Sequence, residues 1–226
     1  MNRQLLLALG LAIPLTACRP DIGTPDYGQF IGGDDDDDSA GGGDPENYPG
    51  PDPYQDGEER LSIGIFYEGG SSTNVAIDNA TTHFYIYDGT FQSYPDFEER
   101  EEGYQSDVIA PAGIGWWGGG ITWDAPADLS SWTQMHVSLR SDGADLGSFD
   151  IGFGGGGGSE VRVNVADYGF TNDGAWHQVV VPLADFVPGG ADLSSVGLPF
   201  QLIAEGVVTG QELRVDNLYF TKEAPE

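Results

Sequence analysis

Thr133-Gln134-Met135-His136-Val137-Ser138-Leu139-Arg140 is the stretch on which the fold turns. Side chains alternate across an extended strand, so Met135, Val137 and Leu139 share one face while Gln134, His136, Ser138 and Arg140 share the other. Half-buried strands have this two-residue period, and no stretch of the chain sustains the repeat of an amphipathic helix. The same texture recurs outward from this segment. Leu61, Ile63 and Ile65 alternate with Ser62 and Gly64, and His83 to Tyr87 and Ile114 to Trp123 read as strands. Phe149, Ile151 and Phe153 make an apolar row; Val161, Val163 and Val165 make another, with Arg162 and Asn164 between them. Ala175 to Pro182, Leu198 to Ala204 and Glu212 to Phe220 complete the set. Many short strands with Gly-rich turns predict an all-β domain, an antiparallel β-sandwich or jelly roll. The connection from Asp88 to Ser106, with its Tyr94-Pro95-Asp96 turn and acidic Glu98 to Glu102 cluster, reads as a surface loop.

On this reading the sandwich occupies residues 60–222 and leaves a tail at 223–226. Upstream, from Arg19 to Glu59, the chain is Pro, Gly, Asp, Ser and Glu with no apolar periodicity, which predicts a disordered acidic tether over 18–59. The run Asp34 to Asp38 reads as part of that solvated spacer, because calcium loops space their ligands at alternate positions and turn sharply at a Gly. The 226 residues carry 37 Asp+Glu against 8 Lys+Arg, a net charge of -29. Such a chain repels nucleic acid and anionic membrane surfaces and attracts divalent cations. Its lone cysteine, Cys18, excludes an intramolecular disulfide.

That cysteine sits where an address signal places it. Asn2 and Arg3 make a positive start, and Leu5 to Leu15 is an apolar run shorter than the roughly 20 residues that span a bilayer. The segment closes on Leu15-Thr16-Ala17-Cys18. This resembles the bacterial lipobox. The resemblance implies a signal peptide over 1–17, diacylglycerol on the Cys18 sulfur, fatty acylation (palmitate) of the new amino group, and attachment to a membrane through the lipid. Arg19 stands where many inner-membrane lipoproteins of proteobacteria have Asp, which implies the outer membrane.

Further segments carry a second resemblance. They are Trp116-Trp117-Gly118-Gly119-Gly120; Asp128-Leu129-Ser130-Ser131-Trp132; Gly174-Ala175-Trp176-His177-Gln178-Val179-Val180-Val181-Pro182-Leu183-Ala184-Asp185-Phe186; Pro199-Phe200-Gln201-Leu202; and Leu213-Arg214-Val215-Asp216-Asn217-Leu218. In this order they resemble the galactose-binding-like jelly roll, in particular the C-terminal ancillary domain of bacterial exo-β-glucanases and other carbohydrate-binding-module-like domains. The resemblance covers about Leu61 to Lys222 and implies two antiparallel sheets, a structural Ca²⁺ and a glycan site. It implies Glu68 and Asp216 as calcium ligands, with Asp78 and Asn217 as helpers; the alternative is that Asp216 closes a turn and Glu68 is solvated. There is no room beside such a domain for the enzymes' catalytic one.

Sugar binding needs aromatic faces for the apolar side of a pyranose and planar polar groups for its hydroxyls. Trp132 and Trp176, at the starts of apolar strands, are assigned to packing. Trp116 and Trp117 point to opposite faces if extended, which buries one and frees the other as a platform. Tyr85 and Tyr87 share a face. The row Gln134, His136, Ser138 and Arg140, with Arg162 and Asn164 one or two strands away, makes a candidate groove or a plain solvated face. The glycan-binding set is therefore Tyr85, Tyr87, Trp116, Trp117, Gln134, His136, Arg140 and Arg162.

No enzyme signature stands beside them. His83, His136 and His177 lie on separate strands without metal-ligand spacing, no cysteine remains as a nucleophile, and no Ser sits in a Gly-x-Ser-x-Gly elbow. The run Gly154 to Gly158, followed by Ser159 and Glu160 and no Lys, reads as a flexible hairpin loop and not a phosphate cradle. The sequence thus predicts a lipid-anchored, non-catalytic protein that binds a polysaccharide. The rival is a structural or protein-interaction module of the envelope, which holds if no Trp or Tyr shows a free ring face beside polar groups; a diverged glycoside hydrolase would need two facing carboxylates in a cleft.

Overall fold

Short segments, most of them with alternating apolar residues, form twelve strands among the described residues, which the computed structural model arranges in two sheets around one core. The structure describes residues 60–63, 66, 74–76, 81–101, 103, 105–143, 146–206 and 210–222, all in the unit Asp38–Glu226. The readings of Cys18, the tether, Glu68 and Asp78 lie outside the described residues. The strands are β1 (Arg60–Ser62), β2 (Asn74–Ala76), β3 (Thr82–Ile86), β4 (Phe91–Asp96), β5 (Ser106–Pro111) and β6 (Trp116–Trp123), then β7 (Gln134–Ser141), β8 (Asp150–Gly154), β9 (Glu160–Asn164), β10 (His177–Pro182), β11 (Leu198–Glu205) and β12 (Leu213–Thr221).

One sheet has five antiparallel strands in the order β3-β6-β11-β8-β9. The other has seven, running β10-β7-β12-β1-β2. On one flank of β12, β1 pairs with its last residues and β5 with its first, and β4 extends the sheet beyond β5. All these pairs are antiparallel except β1 with β2. Between the layers lie the apolar faces that alternation marks in β7 (Met135, Val137 and Leu139) and β8 (Ile151 and Phe153), joined by Phe200 and Leu202 from β11 and Trp117 and Ile121 from β6, all essentially inaccessible. Aromatic rings knit this core, Trp117 meeting Phe149 at 5.5 Å between centroids and Phe153 meeting Phe186 at 4.9 Å.

Two local expectations are corrected. Tyr94-Pro95-Asp96 is not a turn in a loop but the end of β4, paired in register with β5. Pro95 is tolerated because β4 has a partner on one side only among the described strands, so its missing N–H leaves no gap in the ladder. The glycine run 154–158 does close a β8–β9 hairpin, but it is clamped. The Gly157 amide donates to the Ser195 carbonyl (2.9 Å), Ser159 to Gly190 (2.8 Å) and Gly197 back to Gly154 (3.0 Å).

Candidate functional site

Pleating of the five-stranded sheet directs Phe84, Trp117, Phe200, Ile151 and Val163 inward and sends their neighbours out. Strand register then lines up a single cross-sheet row on the outer face. Tyr85 stands opposite Gly120, Gly120 opposite Gln201, Gln201 opposite Gly152, and Gly152 opposite Arg162. Five strands at roughly 4.8 Å make this row about 19 Å long. It has an exposed aromatic ring at one end, a guanidinium at the other, an amide at the centre and no side chains at the two positions between. The next row holds Gly118, Ile203, Asp150 and Asn164, and beyond it Trp116 faces Glu205.

At that end the sheet opens into a cleft of about 360 Å³ lined by Trp116, Ser148, Asp150, Arg162, Asn164 and Glu205, among others. Its polar groups are already ordered. Ser148 Oγ donates to Asn164 Oδ1 (2.6 Å), Asn164 Nδ2 donates to Asp150 Oδ1 (2.9 Å), and Arg162 Nε and Nη2 both donate to Glu160 Oε1 at 2.9 and 2.7 Å. Such a set offers hydroxyl donors and acceptors without having to be organised by a ligand.

The centre of the face was not singled out by sequence reasoning. Gln201 is 2 % exposed, and its Nε2 donates to the Tyr87 phenol oxygen at 3.1 Å, while its Oε1 has no hydrogen-bond partner. Burial pushes the Tyr87 phenol above its usual range, with Glu160 adding to the rise and the Gln201 hydrogen bond and Arg162 opposing it, so the phenol keeps its proton at neutral pH. The signal in the sequence was a single amide within the otherwise apolar run Leu198 to Ala204, a residue type that is rarely buried without a purpose.

The structure divides the expected glycan-binding set. Tyr85, Tyr87, Trp116 and Arg162 come together on this outer face. Trp117 is fully buried, so the tryptophan pair splits with Trp116 as the outward member, half-buried at the cleft. Gln134, His136 and Arg140 do not join Arg162 and Asn164, because β7 belongs to the seven-stranded sheet and β9 to the other. His136 is 1 % exposed, stacked on Tyr219 at 4.4 Å with its Nε2 2.9 Å from Thr221 Oγ1. Arg140 bonds Glu99, and the Glu101 amide donates to Asp216 Oδ2 at 2.7 Å, so the segment after β4 lies across that face.

Of the expected calcium ligands, Asp216 and Asn217 are described, both buried at a bulge in β12 where Asn217 takes a left-handed backbone. Asn217 Nδ2 donates to Ser138 Oγ at 3.3 Å and its Oδ1 is a buried acceptor without a partner, so an oxygen suited to a hard cation is in place. The described residues alone contain no cluster of three acidic, His or Cys side chains that would hold a metal.

No family model matches the chain, and no curated protein matches it in sequence. Solved structures do share its fold. A family 30 carbohydrate-binding module superposes with a TM-score of 0.52 at 18 % identity, covering 61 % of this chain and 80 % of the module. The family 30 module of a cellulosomal cellulase of Clostridium thermocellum gives 0.52 at 16 % identity over 64 % of this chain and 93 % of its own. An exo-β-agarase gives 0.50 at 13 % identity, over 65 % of this chain and 24 % of the enzyme. The domain therefore has the jelly-roll sandwich of carbohydrate-binding modules.

Proposed function

We propose that this domain is a non-catalytic carbohydrate-binding module that holds a polysaccharide across the outer face of its five-stranded sheet. The observation that carries the reading is the cross-strand row from Tyr85 through Gln201 to Arg162, with Trp116 and the ordered cleft beside it. Tyr85 is 40 % exposed, as a ring that stacks on a sugar must be, and the polar groups around it suit hydroxyls. The resemblance of the fold to carbohydrate-binding modules supports the same use. Asp216 and Asn217 would contribute oxygens to a Ca²⁺ brace, with Glu68 and Asp78 as the remaining donors. The Leu15-Thr16-Ala17-Cys18 motif supports attachment of the protein to a membrane through acylated Cys18, which intact-mass spectrometry would show as an added lipid, and Arg19 supports the outer membrane.

The binding reading is tested by native gel electrophoresis in hydroxyethylcellulose, mixed-linkage β-glucan or agarose. Retardation by at least one of these is expected for the unaltered protein. In Trp116→Ala and Tyr85→Ala it falls by roughly tenfold each while the folded near-ultraviolet spectrum persists. Migration unaffected by every neutral polysaccharide tried would overturn the reading.

A further inference from the structure

Tyr87 and Gln201 are placed in a way that stacking alone does not explain. The register sets Ile86 against Gly119, so Tyr87 starts beside Gly118, yet its phenol oxygen lies 2.6 Å from where a Cβ on Gly120 would be. The side chain therefore runs down along β6 instead of standing away from the sheet. Gln201 is laid down in the same manner on the other side, its Oε1 2.4 Å from where a Cβ on Gly152 would be. Each side chain occupies the space that a glycine leaves open, and the two meet in the hydrogen bond from Gln201 Nε2 to the phenol.

We infer that Gln201 is a positioning residue that fixes the Tyr87 phenol over Gly120, making a preformed platform at the centre of the sugar-binding face. A phenol on two free torsions would have to be immobilised by its ligand at a cost in conformational freedom. Pinned at its oxygen, it meets the apolar side of a pyranose already in the bound orientation. The ligand class is a flat, neutral pyranose chain that presents an axial C–H face to the ring.

This inference rests on the binding reading above, and a double-mutant cycle separates the two. Affinities of the full protein for whichever of the three neutral polysaccharides retards it are measured for the unaltered chain, Gln201→Leu, Tyr87→Phe and the double variant, with Trp116→Ala alongside. Positioning predicts a three- to tenfold loss for Gln201→Leu, a similar loss for Tyr87→Phe, and no further loss when both are combined, since each breaks the same pin. Gly152→Ala puts a methyl 2.4 Å from Gln201 Oε1 and 3.0 Å from its Cβ, so it should displace the amide and reproduce the Gln201→Leu loss of binding, with a modest fall in melting temperature. Losses that multiply in the double variant would mean that each group contacts the sugar separately, and the inference would fall. So would a Gln201→Leu variant that binds as tightly as the unaltered protein while Trp116→Ala does not, a result that leaves the binding reading intact. Retention by no polysaccharide would remove both.

Discussion

His136 shows how far a residue's role depends on what lies over it. In the sequence it belongs to a polar row; in the fold its ring is sealed beneath Tyr219, with the Arg60 guanidinium 5.5 Å from the centre of that same tyrosine ring. Burial, followed by the charge of Arg60, brings its pKa down from 6.5 to about 4. The folded state thus holds His136 neutral over a range where the unfolded chain protonates it. Its contribution to stability is fully present above pH 6.5, is lost as the pH falls toward 4, and changes no further below that, amounting to on the order of 3 kcal/mol. Urea midpoints measured at pH 7 and pH 5 check this. The unaltered protein should lose markedly more stability between the two than His136→Gln, in which that proton uptake is absent; equal losses would remove the buried histidine from the account. The same residue marks a limit of sequence reading. Alternation correctly set Gln134, His136, Ser138 and Arg140 on the face opposite Met135, Val137 and Leu139. It carried no information on what would cover that face, because the Glu99 and Glu101 contacts come from a segment more than thirty residues away in sequence.

Among the elements, strands with one apolar face were legible, and those whose identity depends on their neighbours were not. Phe149, Ile151 and Phe153, or Val161 and Val163, announce themselves by period alone. β4 contains Pro95 and only one deeply buried apolar side chain, so its strand character comes from pairing with β5 and not from its own composition. Sheet membership was equally out of reach, since period two says nothing about which strand lies next door. The β8–β9 connection, rich in glycine and read as flexible, is held by specific contacts that only glycine permits. Gly156 has φ near +63°, and a Cβ there would lie 2.2 Å from the Ser195 carbonyl oxygen, a backbone atom that cannot swing aside. Gly169, with φ near +90°, faces open space. Both replacements by alanine meet the left-handed backbone penalty of about 1 kcal/mol, but only Gly156→Ala adds a steric clash, for a total of roughly 2–4 kcal/mol. Chemical denaturation of the two variants side by side should show that ordering; equal midpoints would mean that the loop yields and the clamp is weaker than its hydrogen bonds suggest.

At the scale of the whole molecule, charge limits what the proposed sugar-binding face can accept. The chain carries a net -29, and among the described residues the outer face of the five-stranded sheet presents Asp150, Glu160 and Glu205 against the single guanidinium of Arg162, which Glu160 already engages. Fields of this sign reach about 10 Å at 0.1 M salt, far enough to meet any polymer laid across a 19 Å row. A uronate or sulfate on the ligand would bring anions toward carboxylates with no free cation to receive them, whereas hydroxyls find acceptors in those same carboxylates. Neutral polysaccharides should therefore bind with affinities that change by no more than about twofold between roughly 0.02 and 0.5 M NaCl, because no counterions are released on contact. Polygalacturonate should not bind at low salt. Affinity electrophoresis across that salt range distinguishes the outcomes: retention by polygalacturonate that weakens as salt is added would show an electropositive site that Arg162 alone does not supply, and would place the ligand on another face.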